Sequence, residues 1–332
     1  MTSDITAMAG QRLMVGFDGT ALEEDLRRLI AEAGVGGIIL FARNVETARQ
    51  VKALIRACQD CAARAGHPPL LVAVDQEGGG VARLRRPHFP EFPAPPQIRD
   101  PQEAEALAGD MARLLGDLGF NMNMAPVLDV APDGLDSIMA ARAFGADPEV
   151  VARLGRAVIR GLQARGIMAV AKHFPGIGRT TLDSHRVQPV LEASAESIAG
   201  FDLPPFAAAC RDGVAGVMLS HIRYPALDPQ WPASLSVVVA RDLLRVRMGY
   251  DGLVMTDDLD MGAVRPDISV ETAAARILAA DVDLALICHP GPAVEAAREA
   301  LYRQMAADEE ARRRAEACWR RMRRVKQQWL GA

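Results

Sequence analysis

The sequence has few cysteines, few aromatic residues and no strong excess of either charge. Its five cysteines are odd in number and scattered along 332 residues, which argues against a disulfide framework and suits a reducing cytoplasm. A formal net charge of −4 at pH 7 argues against a surface that binds nucleic acid over the whole molecule. Cys58 and Cys61 form a CxxC pair without a second ligand pair, and we interpret them as ordinary helix residues.

Long apolar runs are missing as well. No uninterrupted run approaches the roughly 18 residues of a membrane-spanning helix, so we expect no membrane span. The first 19 residues carry Asp4 and Arg12 and lack a basic region leading into an apolar one, which predicts no secretory signal. Hydrophobic residues nevertheless make up 50% of the chain and charged residues 24%, as in globular proteins. We therefore expect a globular, cytoplasmic protein.

Eight short apolar runs alternate with segments of helical character. The runs are RLMVGF (12–17), GIILF (37–41), LLVAVD (70–75), FNMNMAPVLDV (120–130), IMAVAKH (167–173), GVMLSH (216–221), GLVMTD (252–257) and LALICH (284–289). The helical segments are 22–33, 45–64, 101–118, 147–165, 194–212, 236–248, 270–280 and 292–305. Near-continuous apolar runs are typical of parallel strands that helices cover on both faces.

Eight strand–helix units in about 300 residues predict an α/β fold, a single-domain (β/α)8 TIM barrel. The barrel would span about residues 10–300 of one domain, 1–332. A doubly wound open sheet is the alternative. It would require a glycine-rich phosphate turn after the first strand, for which VGFDGT (15–20) is a weak candidate.

The C-terminal stretch predicts a helix with a strongly basic face, over about residues 307–330. Such a face could bind nucleic acid or a membrane. Acidic residues precede the basic run, however, and Trp319, Met322 and Trp329 could dock on the barrel. We favour a solvated face on a packed terminal helix, with no nucleic-acid partner. Little chain remains for a second domain.

Titratable residues lie at or just past the ends of the apolar runs. They are Asp75, Asp129, Lys172, His173, His221, Asp257 and His289. In a TIM barrel the carboxyl ends of the strands meet at the mouth that holds the active site. A single Asp could merely cap the next helix. Seven such groups on one rim predict an active site there.

The stretch 172–185, KHFPGIGRTTLDSH, presents polar groups on a glycine-rich loop. Asp183 and His185 stand two residues apart and could hydrogen-bond, which suits a general acid/base near neutral pH. The same DxH spacing also suits a metal ligand pair.

Two further motifs carry candidate site residues. In GLVMTDDLDM (252–261), Asp257 ends a strand and is the better candidate for the mouth than Asp258. There it could be a nucleophile, an electrostatic stabiliser or a metal ligand. In DQEGGGVARLR (75–85), Asp75 ends a strand and Arg83 could reach back towards a ligand. Arg142 could be a ligand clamp or an ordinary surface charge.

Five stretches together resemble glycoside hydrolase family 3, and within it the bacterial cytoplasmic β-N-acetylglucosaminidases of cell-wall recycling. They are DQEGG (75–79), ARAFG (141–145), KHFPGIG (172–178), DSH (183–185) and TDDLDM (256–261). They follow the family's order and spacing. Two positions depart from its pattern, because Ile177 replaces a His and Gly80 replaces an Arg. Both leave loop conformation and aglycone preference open.

The resemblance implies a retaining β-N-acetylglucosaminidase that acts in two steps without a metal or cofactor. Asp257 would attack the anomeric carbon and form a covalent glycosyl-enzyme. His185, oriented by Asp183, would protonate the leaving oxygen and then activate water. The implied substrate is a muropeptide in which N-acetylglucosamine is β-1,4-linked to (anhydro-)N-acetylmuramic acid. The residues implied to hold the sugar hydroxyls are Asp75, Arg83, Arg142, Lys172 and His173.

Three other functions stay open. A phosphorylase would use phosphate to resolve the same intermediate, because a His acid/base repels phosphate less than a carboxylate would. A catalytically silent barrel would only bind sugar or a protein. A metal-dependent hydrolase would use the Asp and His residues of the rim. We also expect Asp183 and His185 to lie on a mobile arm that closes over the substrate, with His185 away from Asp257 when no ligand is bound.

Overall fold

The computed structural model describes residues 4–181, 190–259 and 268–331. Its strands are β1 (Leu13–Val15), β2 (Gly37–Leu40), β3 (Leu71–Val74), β4 (Gln76–Gly78), β5 (Val81–Ala82), β6 (Met122–Asn123), β7 (Met168–Phe174), β8 (Gly216–Leu219), β9 (Arg223–Tyr224), β10 (Asp228–Pro232), β11 (Leu253–Asp258) and β12 (Leu284–Ile287). Eight of them form a closed barrel in the order β1-β12-β11-β8-β7-β6-β3-β2. The other four form two small antiparallel pairs, β4–β5 and β9–β10.

The barrel closes where the first and last strands pair. Leu13 of β1 lies opposite Ala285 of β12, and every pair in the barrel is parallel. The predicted TIM barrel is therefore confirmed, and the open-sheet alternative is wrong. Each of the eight apolar runs overlaps a barrel strand, and β7 and β11 extend one residue beyond their runs.

Barrel side chains divide by the two-residue period of a strand. Met14, Leu71 and Ala73 belong to a compact apolar cluster with other residues of the barrel strands. Their neighbours Leu13, Val15 and others belong instead to the larger core that includes the helices. Burial of both sets explains the near-continuous apolar pattern of the strands.

The helices are α1 (Ile5–Gln11), α2 (Glu24–Ala31), α3 (Ala48–Arg64), α4 (Pro101–Leu118), α5 (Pro148–Gln163), α6 (Ala195–Ser197), α7 (Leu203–Arg211), α8 (Val270–Ala279), α9 (Ala293–Ala307) and α10 (Glu309–Leu330), with π-helices at Ile198–Asp202 and Val238–Arg247. Local chemistry sets their starts: Asp100 accepts from the backbone N–H groups of Gln102 and Glu103, just before Pro101. All eight predicted helical segments contain helix, and Cys58 and Cys61 lie on α3 as predicted.

The basic helix α10 docks on the barrel, as predicted. Met322 and Val325 join the apolar cluster of the barrel strands, and Trp329 packs against it. Arg321 donates to the buried carboxylate of Asp283 at 2.6 Å. Within the described part of the chain, no helix is long and apolar enough to cross a membrane.

Candidate active site

A cavity of about 550 Å³ opens at the carboxyl ends of the barrel strands. Six of the predicted site residues line it: Asp75, Arg83, Arg142, Lys172, His173 and Asp257. They come from four separate stretches of sequence that the barrel brings together. The other two, Asp183 and His185, lie outside the described residues. The expected separation of His185 from Asp257 therefore stays a prediction.

The hairpin after β3 distributes its polar side chains by strand alternation. Gln76 Oε1 accepts from the backbone N–H groups of Arg83 at 3.0 Å and Leu84 at 3.1 Å, which holds the returning strand. Gly78 has φ of +104°, and a Cβ there would lie 2.2 Å from the carbonyl oxygen of Pro93. A side chain is therefore excluded at Gly78, and the hairpin packs closely on the backbone at Pro93.

Five charged side chains form an alternating chain along one wall of the site. Arg83 Nη2 lies 3.0 Å from Asp75 Oδ2. Lys172 Nζ lies 2.8 Å from Asp75 Oδ1 and 2.6 Å from Glu77 Oε1. Arg142 then binds Glu77 through two hydrogen bonds, Nε to Oε2 at 2.9 Å and Nη2 to Oε1 at 2.7 Å. Arg142 is thus a group of the site wall and not an ordinary surface charge.

Attraction between these alternating cations and anions keeps the side chains ionised despite burial. Burial alone would raise the pKa of Asp75, but Lys172 and Arg83 hold that pKa well below its usual range. Burial would likewise raise the pKa of Glu77, which Lys172 and Arg142 lower instead. For Lys172, burial favours a lower pKa, and the two carboxylates outweigh it and raise the pKa.

Asp257 stands at the end of β11 and is partly open to the cavity. Its Oδ1 accepts from the backbone N–H of Asp258 at 2.8 Å. Burial would raise the pKa of Asp257, but the fields of His173 and His221, that N–H group and Lys172 lower it overall. Asp257 is therefore an ionised carboxylate at neutral pH.

Asp258 also reaches the cavity wall, where its Oδ1 accepts from the backbone N–H of Cys288 at 3.0 Å. His289 lines the cavity too, with a largely exposed ring whose Nδ1 lies 3.6 Å from Asp258 Oδ2. His221 is buried instead, with Ser234 Oγ 2.7 Å from Nδ1 and the Asp258 carbonyl oxygen 2.9 Å from Nε2. Burial lowers the pKa of His221, and the ring joins Ser234 to the backbone of Asp258 without lining the cavity.

Asp129 orients His173. Asp129 Oδ2 lies 2.8 Å from Nδ1 of the imidazole, and Oδ1 accepts from the backbone N–H of Ile177 at 2.8 Å. The Ile177 side chain packs in the hydrophobic core, so an apolar residue suits this departure from the family pattern. At Gly80 an added Cβ would meet nothing within 4 Å, which leaves that position sterically open.

Phe41 and Arg43 also line the cavity, and the sequence reasoning missed both. The guanidinium carbons of Arg43 and Arg83 lie 4.8 Å and 5.5 Å from the Phe41 ring centroid. Arg43 donates to the carbonyl oxygens of Phe17 at 2.9 Å and Cys288 at 2.7 Å. Phe41 could have been found from the sequence, because it ends the predicted strand GIILF and strand ends face the mouth of the barrel.

Glu77 was missed in the same way, although strand alternation places it on the side of Asp75. As for metals, no group of three or more His, Cys, Asp or Glu within 4–181, 190–259 and 268–331 could hold an ion. The expectation of a metal-free site stays a prediction.

A closed parallel barrel with an ionised carboxylate and hydrogen-bond donors at its mouth has the groups that a glycosidase needs, a nucleophile and partners for sugar hydroxyls. In a comparison with protein families, the family described as the glycosyl hydrolase family 3 N terminal domain matches residues 5–325 of this chain. The chain therefore belongs to glycoside hydrolase family 3, and it is a glycosidase of the β-hexosaminidase type.

Relatives support this assignment. A β-hexosaminidase of Alkalilimnicola ehrlichii is 39% identical over 293 residues, 86% of this chain and 82% of that protein. One from Pseudomonas aeruginosa is 40% identical over 299 residues, 88% and 86% of the two chains. Among solved structures, a family 3 β-N-acetylglucosaminidase from Paenibacillus superposes with a TM-score of 0.92 at 38% identity, over 98% of this chain. This chain spans 62% of that longer enzyme.

A second structure matches over nearly the whole of both chains. The β-N-acetylhexosaminidase from Beutenbergia cavernae superposes with a TM-score of 0.88 at 31% identity, over 97% of this chain and 98% of that one.

Proposed function

We propose that this glycosidase removes non-reducing β-linked N-acetylglucosamine from muropeptides during cell-wall recycling, and that it acts in the cytoplasm. The names of the hexosaminidase and β-N-acetylglucosaminidase relatives support the sugar. The resemblance of the five sequence stretches to the recycling enzymes supports the muropeptide aglycone.

One observation carries the mechanism: Asp257 is an ionised carboxylate facing a cavity that is also lined by the charged groups of Asp75, Arg83 and Lys172. In the first step, a lone pair of Asp257 forms a bond to the anomeric carbon while the glycosidic bond breaks. In the second step, water displaces the carboxylate and restores Asp257. Two displacements retain the anomeric configuration.

We assign the proton transfers to His185, oriented by Asp183. His185 would give its proton to the leaving oxygen in the first step and take one from water in the second. Retaining glycosidases ordinarily use a carboxyl group for this work. An imidazole is never anionic here, so it repels the Asp257 carboxylate or an anionic aglycone less than a second carboxylate would.

The sugar hydroxyls would bind the charged wall of the site. Charge-assisted hydrogen bonds to such groups are shorter and stronger than neutral ones, and they fix the orientation of the ring. The residues assigned to this task are Asp75, Arg83, Arg142, Lys172 and His173.

Replacing the nucleophile tests the proposal. The Asp257→Ala variant should release the chromophore from an aryl β-N-acetylglucosaminide at less than about one thousandth of the wild-type rate, as expected when covalent catalysis is lost. Asp60→Ala, on the exposed face of α3, is the matched control and should behave as wild type. Normal turnover by Asp257→Ala would refute the assignment.

Trapping and product analysis separate the remaining alternatives. Intact mass after incubation with a 2-deoxy-2-fluoro or 5-fluoro glycosyl donor should show an adduct that maps to Asp257. A hydrolase should release free N-acetylglucosamine at every phosphate concentration. Formation of the sugar 1-phosphate would make the protein a phosphorylase instead.

A further inference from the structure

Glu77 is a buried carboxylate that lies behind the site and does not line the cavity. Its side chain is 1% exposed, whereas its partners Lys172 and Arg142 both reach the cavity surface. It accepts two hydrogen bonds from Arg142, at 2.7 and 2.9 Å, and its Oε1 also lies 2.6 Å from Nζ of Lys172 in an ion pair. The role of Glu77 must therefore be exerted through Lys172 and Arg142.

The number of donors that Glu77 occupies is informative. An ammonium group has three N–H donors and a guanidinium has five. Lys172 donates one hydrogen bond to Asp75 and forms an ion pair with Glu77, so the two carboxylates together fix the position of the ammonium group. From Arg142, Glu77 takes one N–H of Nε and one of Nη2, and Nη1 donates to the sulfur of Met139 at 3.7 Å, which leaves one N–H on each terminal nitrogen. The carboxylate thus limits which donors of these two cations remain for a ligand.

Electrostatics explains why this position needs a carboxylate. Asp75 and Glu77 lie two residues apart, and their mutual repulsion acts to raise the pKa of Glu77. Lys172 stands between the two carboxylates and binds both. The chain of three cations and two anions then carries a net charge of +1, with each buried charge next to an opposite one.

We propose that Glu77 is a positioning residue for sugar binding, which locks Lys172 and Arg142 so that their remaining donors meet the sugar hydroxyls. This inference rests on the proposed function, in which Lys172 and Arg142 hold the sugar. Glu77 itself touches neither the sugar nor the reacting atoms.

The variant Glu77→Gln keeps the shape of the side chain and removes its charge. Its amide has one acceptor oxygen, and its NH2 group would face a donor of Lys172 or Arg142. At least one of the two cations must then turn away. We expect KM for the aryl β-N-acetylglucosaminide to rise about 10- to 100-fold while kcat changes less, because binding donors are misplaced and the nucleophile is not.

A purely structural role predicts a different result. It would lower the free energy of unfolding and the fraction of active enzyme, but KM of the remaining active enzyme would stay the same. The active fraction is counted by trapping with the fluoro-sugar donor. Glu105→Gln removes the carboxylate from an exposed pair with Arg160 and is the matched control, with unchanged KM expected.

Glu77→Asp provides a second measurement, which decides the question if Glu77→Gln does not fold. It retains the charge but shortens the side chain by one methylene, so KM should lie between the values for wild type and Glu77→Gln. If Glu77→Gln does not fold, KM of Glu77→Asp should still be several-fold above the wild-type value. A KM within twofold of wild type in the folded variant overturns the inference. If the wild-type enzyme does not cleave the aryl substrate, the proposed function is wrong. The role of Glu77 is then decided by calorimetric binding of N-acetylglucosamine to wild type and variant. Equal affinity of the two proteins refutes that role.

Discussion

Lys326 lies on the inner face of α10, with a side chain that is 3% exposed. Its ammonium group donates to Gln11 Oε1 at 2.9 Å and to the carbonyl oxygen of Gly36 at 3.0 Å. Both acceptors are neutral, so they offset only part of the desolvation of the charge. Burial therefore lowers the pKa of Lys326 from 10.5 to about 7.

This shift makes the stability of the fold depend on pH. Above pH 10.5 the amine is neutral in the folded and the unfolded chain. As the pH falls from 10.5 towards 7, the unfolded chain binds a proton that folded Lys326 does not, and stability is lost. Below about pH 7 both states are protonated, and the loss is constant. From these two pKa values, Lys326 alone should make the protein about 2 kcal/mol less stable at pH 7 than at pH 9.

The variant Lys326→Met lacks this proton. We expect the difference in unfolding free energy between pH 9 and pH 7 to be about 2 kcal/mol smaller in Lys326→Met than in wild type. Urea unfolding followed by tryptophan fluorescence measures it at both pH values, and comparing the two proteins cancels the titration of all other groups. Lys52→Met, at an exposed lysine of α3, is the control and should match wild type. Identical pH dependence in wild type and Lys326→Met would refute the reasoning.

Two further predictions concern the site. Asp129→Asn should lower kcat/KM about 10- to 100-fold, because an amide cannot accept from both His173 and the N–H of Ile177 as the carboxylate does, and Michaelis kinetics on the aryl substrate will measure it. Phe41→Leu removes the ring beside Arg83 and should raise KM several-fold with little change in kcat, by loss of a cation–π contact of about 1 kcal/mol. In the same assay Phe41→Trp should retain most of the wild-type KM, and a Leu variant equal to wild type would contradict the assignment.

The strand pattern and the strand ends were predictable from sequence because they depend on local order. Asp75, Lys172 and Asp257 each follow a buried run, and the carboxyl ends of parallel strands must share one face of a barrel. The docking of Met322 on the barrel also followed from its apolar character beside charged neighbours. Asp183 and His185 were recognised from their motif and stay a prediction.

Other members of the site could not be assigned in this way. In the sequence, Glu77 is one more charged residue close to Asp75. The DQEGG motif does not predict that its side chain is buried between two cations. His221 shares the strand-end position of Asp257 but is buried and does not line the cavity. Which strand-end side chains reach the cavity depends on the local backbone and on neighbours that are distant in sequence.

The sequence by itself therefore determined the eight-stranded barrel, the face that carries the site and the family, because periodicity and short motifs are local properties of the chain. Only the tertiary structure decided how the charges are paired. Glu77 and Arg142 are 65 residues apart, and Lys326 meets Gln11 across 315 residues. Pairing energies depend on distances of a few ångströms and on burial, and only the closed barrel sets both.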